Sequence, residues 1–208
     1  MKKHFFFFIL LLFPLLAAAQ TYKYIGVEDG LSNRRVYAIQ KGPKGYMWFL
    51  THDGIDRYNG KEFKHYKLMD GEEEVNSMMS LSWLYTDAKG RLWEIGKQGR
   101  VFCYESKHDR FQLVYKLPKS ETKDLHTPVS YGFIDDNYIV WLCNQKNIYL
   151  YDSETERCTT IKNEINESIT DIEQIDANHY FIGTDVGIHY AELKNNKLML
   201  SPCNKLDT

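Results

Sequence analysis

One stretch, Gly30 to Tyr66, sets a pattern that returns three more times before the C-terminus. Within it a strand-like run, Val36 to Gln40, enters a Gly-Pro-Lys-Gly turn, and the apolar run Tyr46 to Leu50 then leads to a His-Asp-Gly turn. A third run, Ile55 to Tyr58, breaks at Asn59-Gly60, a strong short-range hairpin signal, before Phe63 to Tyr66 closes the unit. Aligning the chain on itself puts Trp48, Trp93 and Trp141 at one position, with Phe181 in the fourth unit, at spacings of 45, 48 and 40 residues. Tyr58, Tyr104, Tyr151 and Tyr190 share another position. Units of this period with four strands each mark β-propeller blades, whereas helical solenoids would carry a 3.6-residue periodicity.

The strand chemistry points the same way. The second strand of each unit is apolar at consecutive positions, as a strand buried on both faces must be, and stacked blades bury both faces of each sheet. The fourth strands, such as Lys61 to Tyr66 and Arg110 to Tyr115, alternate polar and apolar residues, as an outer edge half in water does. The expected fold is all-β: about four consecutive four-stranded antiparallel blades over 30–68, 69–117, 118–162 and 163–202, forming an incomplete part of a larger propeller. A lone strand, Tyr22 to Val27 within 21–29, precedes them, and Ser201 onward, with the tail 203–208, reads as the start of a further unit. The alternative is a closed four-blade ring fastened by Tyr22–Val27. With 43% hydrophobic and 14% aromatic residues, five prolines and no Gly/Ser linker, one architecture accounts for most of the chain.

Residues 1–20 stand apart. Lys2 and Lys3 precede the apolar run Phe5 to Leu16, and Ala17-Ala18-Ala19-Gln20 follows, the layout of a secretory signal peptide; the run is too short to span a bilayer. Its removal takes the formal charge from −2 to −4, since two lysines and no acids are lost. That balance argues against nucleic acid as a partner. The four cysteines (Cys103, Cys143, Cys158, Cys203) are widely spaced with no CxxC pair and read as thiols rather than a disulfide framework, with Cys143 in the core.

The first unit, with Gly30-Leu31-Ser32-Asn33, Val36, Ile39, Gly45, Trp48, Thr51, Asp53-Gly54-Ile55, Arg57-Tyr58-Asn59-Gly60, Phe63 and Tyr66, closely resembles the two-component regulator propeller repeat. The second unit keeps Asp87, Gly90, Trp93 and Gly99, the third Trp141 and Tyr151, and the fourth Gly183-Thr184, Gly187 and Tyr190. The resemblance implies the periplasmic sensor of a hybrid two-component system of Bacteroidetes. Such a sensor binds oligosaccharides from polysaccharide breakdown and controls their utilisation genes through a kinase that this chain lacks. It also implies further blades or a second sensor chain as partners, with a homodimer in the full-length form. No membrane span follows residue 20 and no Gly-rich nucleotide loop is present.

No catalytic motif stands out, and no cofactor or metal is expected. The seven histidines lack metal-ligand spacing. His52-Asp53 is the most tempting pair, yet the turn preceding Gly54 needs such residues anyway. Asp87 to Trp93 is similar to a sialidase Asp-box but has one residue too many between Asp and Gly. Ligand contacts are expected on the turns between second and third strands, where irregular backbone sits on a rigid scaffold. The candidates are His52, Asp53, Lys97, Gln98, Asn144, Gln145 and Lys146, together with Trp83, which lies outside the repeating Trp register. The expectation is a non-enzymatic sensor; the alternatives are an exported carbohydrate-active propeller enzyme and a stand-alone lectin-like propeller.

Overall fold

The computed structural model describes residues 22–75, 82–122, 129–165 and 167–202. The signal-peptide expectation for 1–20 and the tail 203–208, with Cys203, lie outside the described residues. The strands group into four antiparallel meanders, each of four strands. The first contains β1 (Val36–Lys41), β2 (Met47–Thr51), β3 (Gly54–Tyr58) and β4 (Phe63–Tyr66). A two-residue hairpin, β5 (Met69–Asp70) and β6 (Glu73–Glu74), precedes the second sheet, which comprises β7 (Ser82–Thr86), β8 (Leu92–Gly96), β9 (Arg100–Glu105) and β10 (Arg110–Lys116). The third contains β11 (Tyr131–Ile134), β12 (Ile139–Cys143), β13 (Asn147–Asp152) and β14 (Arg157–Lys162), and the fourth β15 (Ile169–Gln174), β16 (His179–Thr184), β17 (Ile188–Lys194) and β18 (Lys197–Pro202). The inner strands neighbour one another in series, β1 beside β7, β7 beside β11 and β11 beside β15.

Alternation along each strand decides which seam a side chain enters. Trp48 packs with Leu84, Leu92 and Phe102 of the second sheet. Trp93 packs with Val140 and Leu142 of the third, and Trp141 with Ile172, Tyr180 and Ile182 of the fourth. The recurring Trp therefore always faces the next sheet, and all three are at most 2% exposed. Truncating such a side chain typically costs about 3–5 kcal/mol. Phe181 holds the same place on the fourth sheet but is only half-buried, beside Tyr190 at 6.0 Å, with Ile188 59% and Met199 49% exposed. No strand pairing links the fourth sheet to the first among the described residues.

A side-chain grip explains why an aspartate precedes two of these tryptophans. Asp87 Oδ1 accepts from the amides of Lys89 and Arg91 while its Oδ2 accepts from Trp93 Nε1 at 2.9 Å. Asp135 repeats this with Asn137, Ile139 and Trp141 Nε1 at 3.0 Å, and additionally accepts from Tyr180 Oη at 2.9 Å across the seam. The segment that resembles an Asp-box is thus a turn cap that holds a core indole. In the first sheet the same position is Gly42, where a Cβ would stand 2.3 Å from Trp48 Nε1; among the described residues that indole nitrogen has no hydrogen-bond partner.

Two expectations are corrected. Tyr22–Val27 is not a strand: residues 22–26 are irregular and Val27–Asp29 forms one 3₁₀ turn. Asp29 Oδ2 accepts from the Gly26 amide at 3.0 Å, and Gly30 takes a left-handed φ of 105°, so local bonds replace a ladder. The segment then seals the first sheet, with Leu31 6% exposed and both the amide and hydroxyl of Ser32 donating at 2.8 Å to the buried Asp56. Second, Ser201 and Pro202 open no new unit; they extend β18 opposite Tyr190 and His189. Among the described residues no helix is long and apolar enough to cross a membrane, and Cys103, Cys143 and Cys158 are free thiols.

Candidate functional site

β8 reads Leu92-Trp93-Glu94-Ile95-Gly96, and all five residues are buried. Because Trp93 and Ile95 face the third sheet, Glu94 must face the first. Its ladder partners, Leu84 and Phe102, belong to the same apolar cluster as Trp48 and Leu50. A carboxyl group is thereby driven into a hydrophobic seam, where it is 2% exposed. The seam opens beside it into a cleft of about 450 Å³, walled by Leu50, Ile55, Leu68 and Val75. The short β5–β6 hairpin helps to build this wall: Val75 donates to the Leu68 carbonyl at 2.8 Å, and Lys67 Nζ meets Glu74 Oε2 at 2.7 Å at the mouth. Gly54 is required at the rim, since it has φ 132° and a Cβ there would come within 2.9 Å of the Tyr66 carbonyl.

Burial pushes the Glu94 carboxyl up to about 7, against a hydrogen bond from Ser82 and the positive charge of Arg100, which both act the other way. Near neutral pH the group therefore exists in both forms, able to donate as the acid and to accept as the carboxylate. Among the described residues its Oε2 has no hydrogen-bond partner. A buried oxygen left unpaired costs about 1–3 kcal/mol, so it invites a donor entering through the cleft. Among the described residues no group of three or more His, Cys, Asp or Glu side chains is placed to hold a metal.

The sequence candidates divide among several places. His52 and Asp53 line the mouth of this cleft; Tyr37 Oη lies 3.0 Å from His52 Nδ1, and Asn33 Nδ2 donates to Asp53 Oδ2 at 3.0 Å. Trp83 and Lys97 come together elsewhere, since Trp83 sits one residue after Ser82 and points into the opposite seam. There it meets Tyr131 edge-on at 5.5 Å, with Lys97 Nζ 5.7 Å above its ring. Gln98 accepts from Arg100 Nη1 at 2.7 Å and lines a second cleft of about 510 Å³, whose Arg100 and Lys116 are already paired with Asp70. Asn144 Oδ1 caps the amides of Lys146 and Asn147, while Gln145 and Lys146 are exposed. Glu94 was missed by reasoning from turns, although an acid inside an otherwise apolar second strand is a visible signal.

The sequence matches no protein-family model and no curated relative. Solved structures do share its fold. The extracellular domain of the hybrid two component system BT3049 from B. thetaiotaomicron is 20% identical with a TM-score of 0.66; the match covers 87% of this chain and 26% of that one. Virginiamycin B lyase from Staphylococcus aureus is 15% identical with a TM-score of 0.61, over 87% of this chain and 58% of the lyase. PorZ, a surface component of the type-IX secretion system of Porphyromonas gingivalis, is 12% identical with a TM-score of 0.51, over 80% and 20% of the two chains. This chain thus spans about a quarter of the BT3049 domain. At these identities the likeness is one of fold, and it includes the class of protein that the first unit resembles in sequence.

Proposed function

We propose that this chain is a segment of the periplasmic sensor of a hybrid two-component system, exported by its N-terminal signal peptide, and that the cleft between its first two sheets binds an oligosaccharide. The observation that carries the ligand site is Glu94: a buried carboxyl with one unpaired oxygen, at the side of a cleft whose walls are apolar and whose mouth bears His52, Asp53 and Lys67. Sugars need both kinds of surface, apolar for their C–H faces and hydrogen-bonding for their hydroxyls. The half-buried Phe181 and the exposed Ile188 and Met199 on the fourth sheet fit a covering partner, either further blades or a second sensor chain. Ligand preference for one arrangement of such partners, by a few kcal/mol, would bias a distant kinase toward expression of utilisation genes. Calorimetric titration of the full chain with a panel of plant and host oligosaccharides tests this reading. A ligand whose affinity falls at least about ten-fold in Glu94→Gln supports it, since losing a charge-assisted bond costs about that much; a panel without binders counts against it.

A second reading, an exported propeller enzyme, draws on the same carboxyl, because a group poised near neutrality suits general acid catalysis. The fold also carries a lyase in Staphylococcus aureus. Product release from the panel sugars, abolished in Glu94→Gln, would favour the enzyme over the sensor.

A further inference from the structure

We infer that the cleft between the first two sheets selects a sugar carrying a free ammonium group, a hexosamine in the non-acetylated state, with the ammonium seated on Glu94 Oε2. This deepens the oligosaccharide reading and rests on it for the sugar part alone. Three observations combine. Glu94 Oε2 is a buried oxygen with no donor among the described residues, beside the cleft. The cleft lining carries more acid than base: Asp53 and Glu74 share it with Lys67, whose charge is taken up by Glu74 at 2.7 Å. The walls of Leu50, Ile55, Leu68 and Val75 are apolar, and Ser82, which also lines the cleft, is already hydrogen-bonded to Glu94.

A neutral hydroxyl could donate to the unused lone pair of Oε2, but it would leave the carboxylate form without a compensating charge. An ammonium forms a charge-assisted bond, about twice as strong as a neutral one, in a site where water screens little. It also offsets the desolvation penalty that keeps the proton on Glu94, so binding expels that proton. Among the described residues the charged and titratable groups around Glu94 are His52 and Asp53 from the β2–β3 turn, Lys67 before the hairpin, Glu74 on β6, and Arg100 on β9. Arg100 is itself held by Asp70 at 3.0 Å and by Gln98, so it leaves room for a second cation. An apolar flank, a buried acid and an acidic mouth together favour a cation attached to a ring with C–H faces over a neutral sugar or an anionic one.

The test uses the full chain and four probes: the β-1,4-linked glucosamine disaccharide, its di-N-acetylated form, cellobiose and ethylammonium. Titrations are run at about pH 6 in two buffers of unlike ionisation enthalpy, where a carboxyl pushed up to about 7 is mostly protonated. The glucosamine disaccharide is expected to bind about ten-fold or more tighter than either neutral disaccharide, with release of close to one proton. Glu94→Gln should abolish both the preference and the proton release. Lys67→Met, at an exposed position that folding tolerates, should strengthen binding of the glucosamine disaccharide several-fold by removing a like charge. Cellobiose binding as tightly as the glucosamine disaccharide overturns the ammonium inference and leaves the sugar reading standing. Ethylammonium binding without any disaccharide does the reverse. If the preference survives in Glu94→Gln, or if no amine binds, the inference is wrong.

Discussion

Replacing Glu94 by Gln should flatten the pH dependence of this chain's stability across the mildly acidic range. In the folded chain the carboxyl is pushed up from 4.5 to about 7 by burial. Between those values the folded state holds a proton that the unfolded state has released, so stability is fully present below about pH 4.5 and is lost as pH rises through about 7. The interval of about 2.5 pH units, at about 1.4 kcal/mol each, amounts to about 3 kcal/mol. Urea unfolding of the parent and Glu94→Gln chains at several pH values between about 4 and 8 measures it, and groups common to both cancel in the difference. The stability of the parent relative to the variant is expected to fall by about 3 kcal/mol from the acid to the neutral end. Curves that stay parallel would refute the reasoning, because they would mean that Glu94 is solvated and that the cleft has no buried acid to satisfy.

Asp135→Ala orphans Trp141 Nε1 and Tyr180 Oη, both on side chains 0% exposed, and should cost about 3–5 kcal/mol in the same denaturation assay. Gly42→Ala drives a methyl to within 2.3 Å of the fully buried Trp48 indole and should destabilise by about 1–3 kcal/mol, read as a lower thermal midpoint. Asp109 ties the first two sheets together by accepting from Lys64, Tyr104, Tyr66 and Arg57. Burial raises its carboxyl, but those donors outweigh it and hold it below the ordinary range. Its contribution is therefore present above about pH 4 and lost as pH falls further, and Asp109→Asn should weaken that acid loss in fluorescence-monitored unfolding. Ile188→Glu with Met199→Glu should reduce concentration-dependent association in sedimentation experiments, since Ile188 is 59% and Met199 49% exposed on the outer face of the fourth sheet.

Much of this architecture is legible in the residues because repetition averages out local noise. A single Trp in an apolar run is ambiguous, but Trp48, Trp93 and Trp141 at blade spacing define both the sheet and its facing seam. Asn59-Gly60 marks its turn for the same local reason: Gly60 takes φ 97° there. Other features depend on what the fold brings near. Tyr22–Val27 has strand-like composition, yet Gly26, Asp29 and Gly30 settle it into a turn that docks on Asp56. The Asp87 and Asp135 grips look like turn residues until the indole nitrogens six positions on are seen to reach them. For the site, His52 and Asp53 were legible as turn residues at one end of the first sheet. Glu94 could be picked out as an acid in an apolar strand, but its importance lies in the cleft beside it, part of whose wall, Leu68 and Val75, flanks the β5–β6 hairpin, a segment with no strong strand signal.

The most direct test of the account is where a ligand sits. Hydrogen exchange of the full chain, with and without the tightest-binding sugar of the panel, reports this without substitution. Slowed exchange at the amides of residues 50–55, 67–75 and 82–84 and of Glu94 is the expected result. Protection confined to the turn at Asn144–Asn147, or to the open face of the fourth sheet, would contradict it.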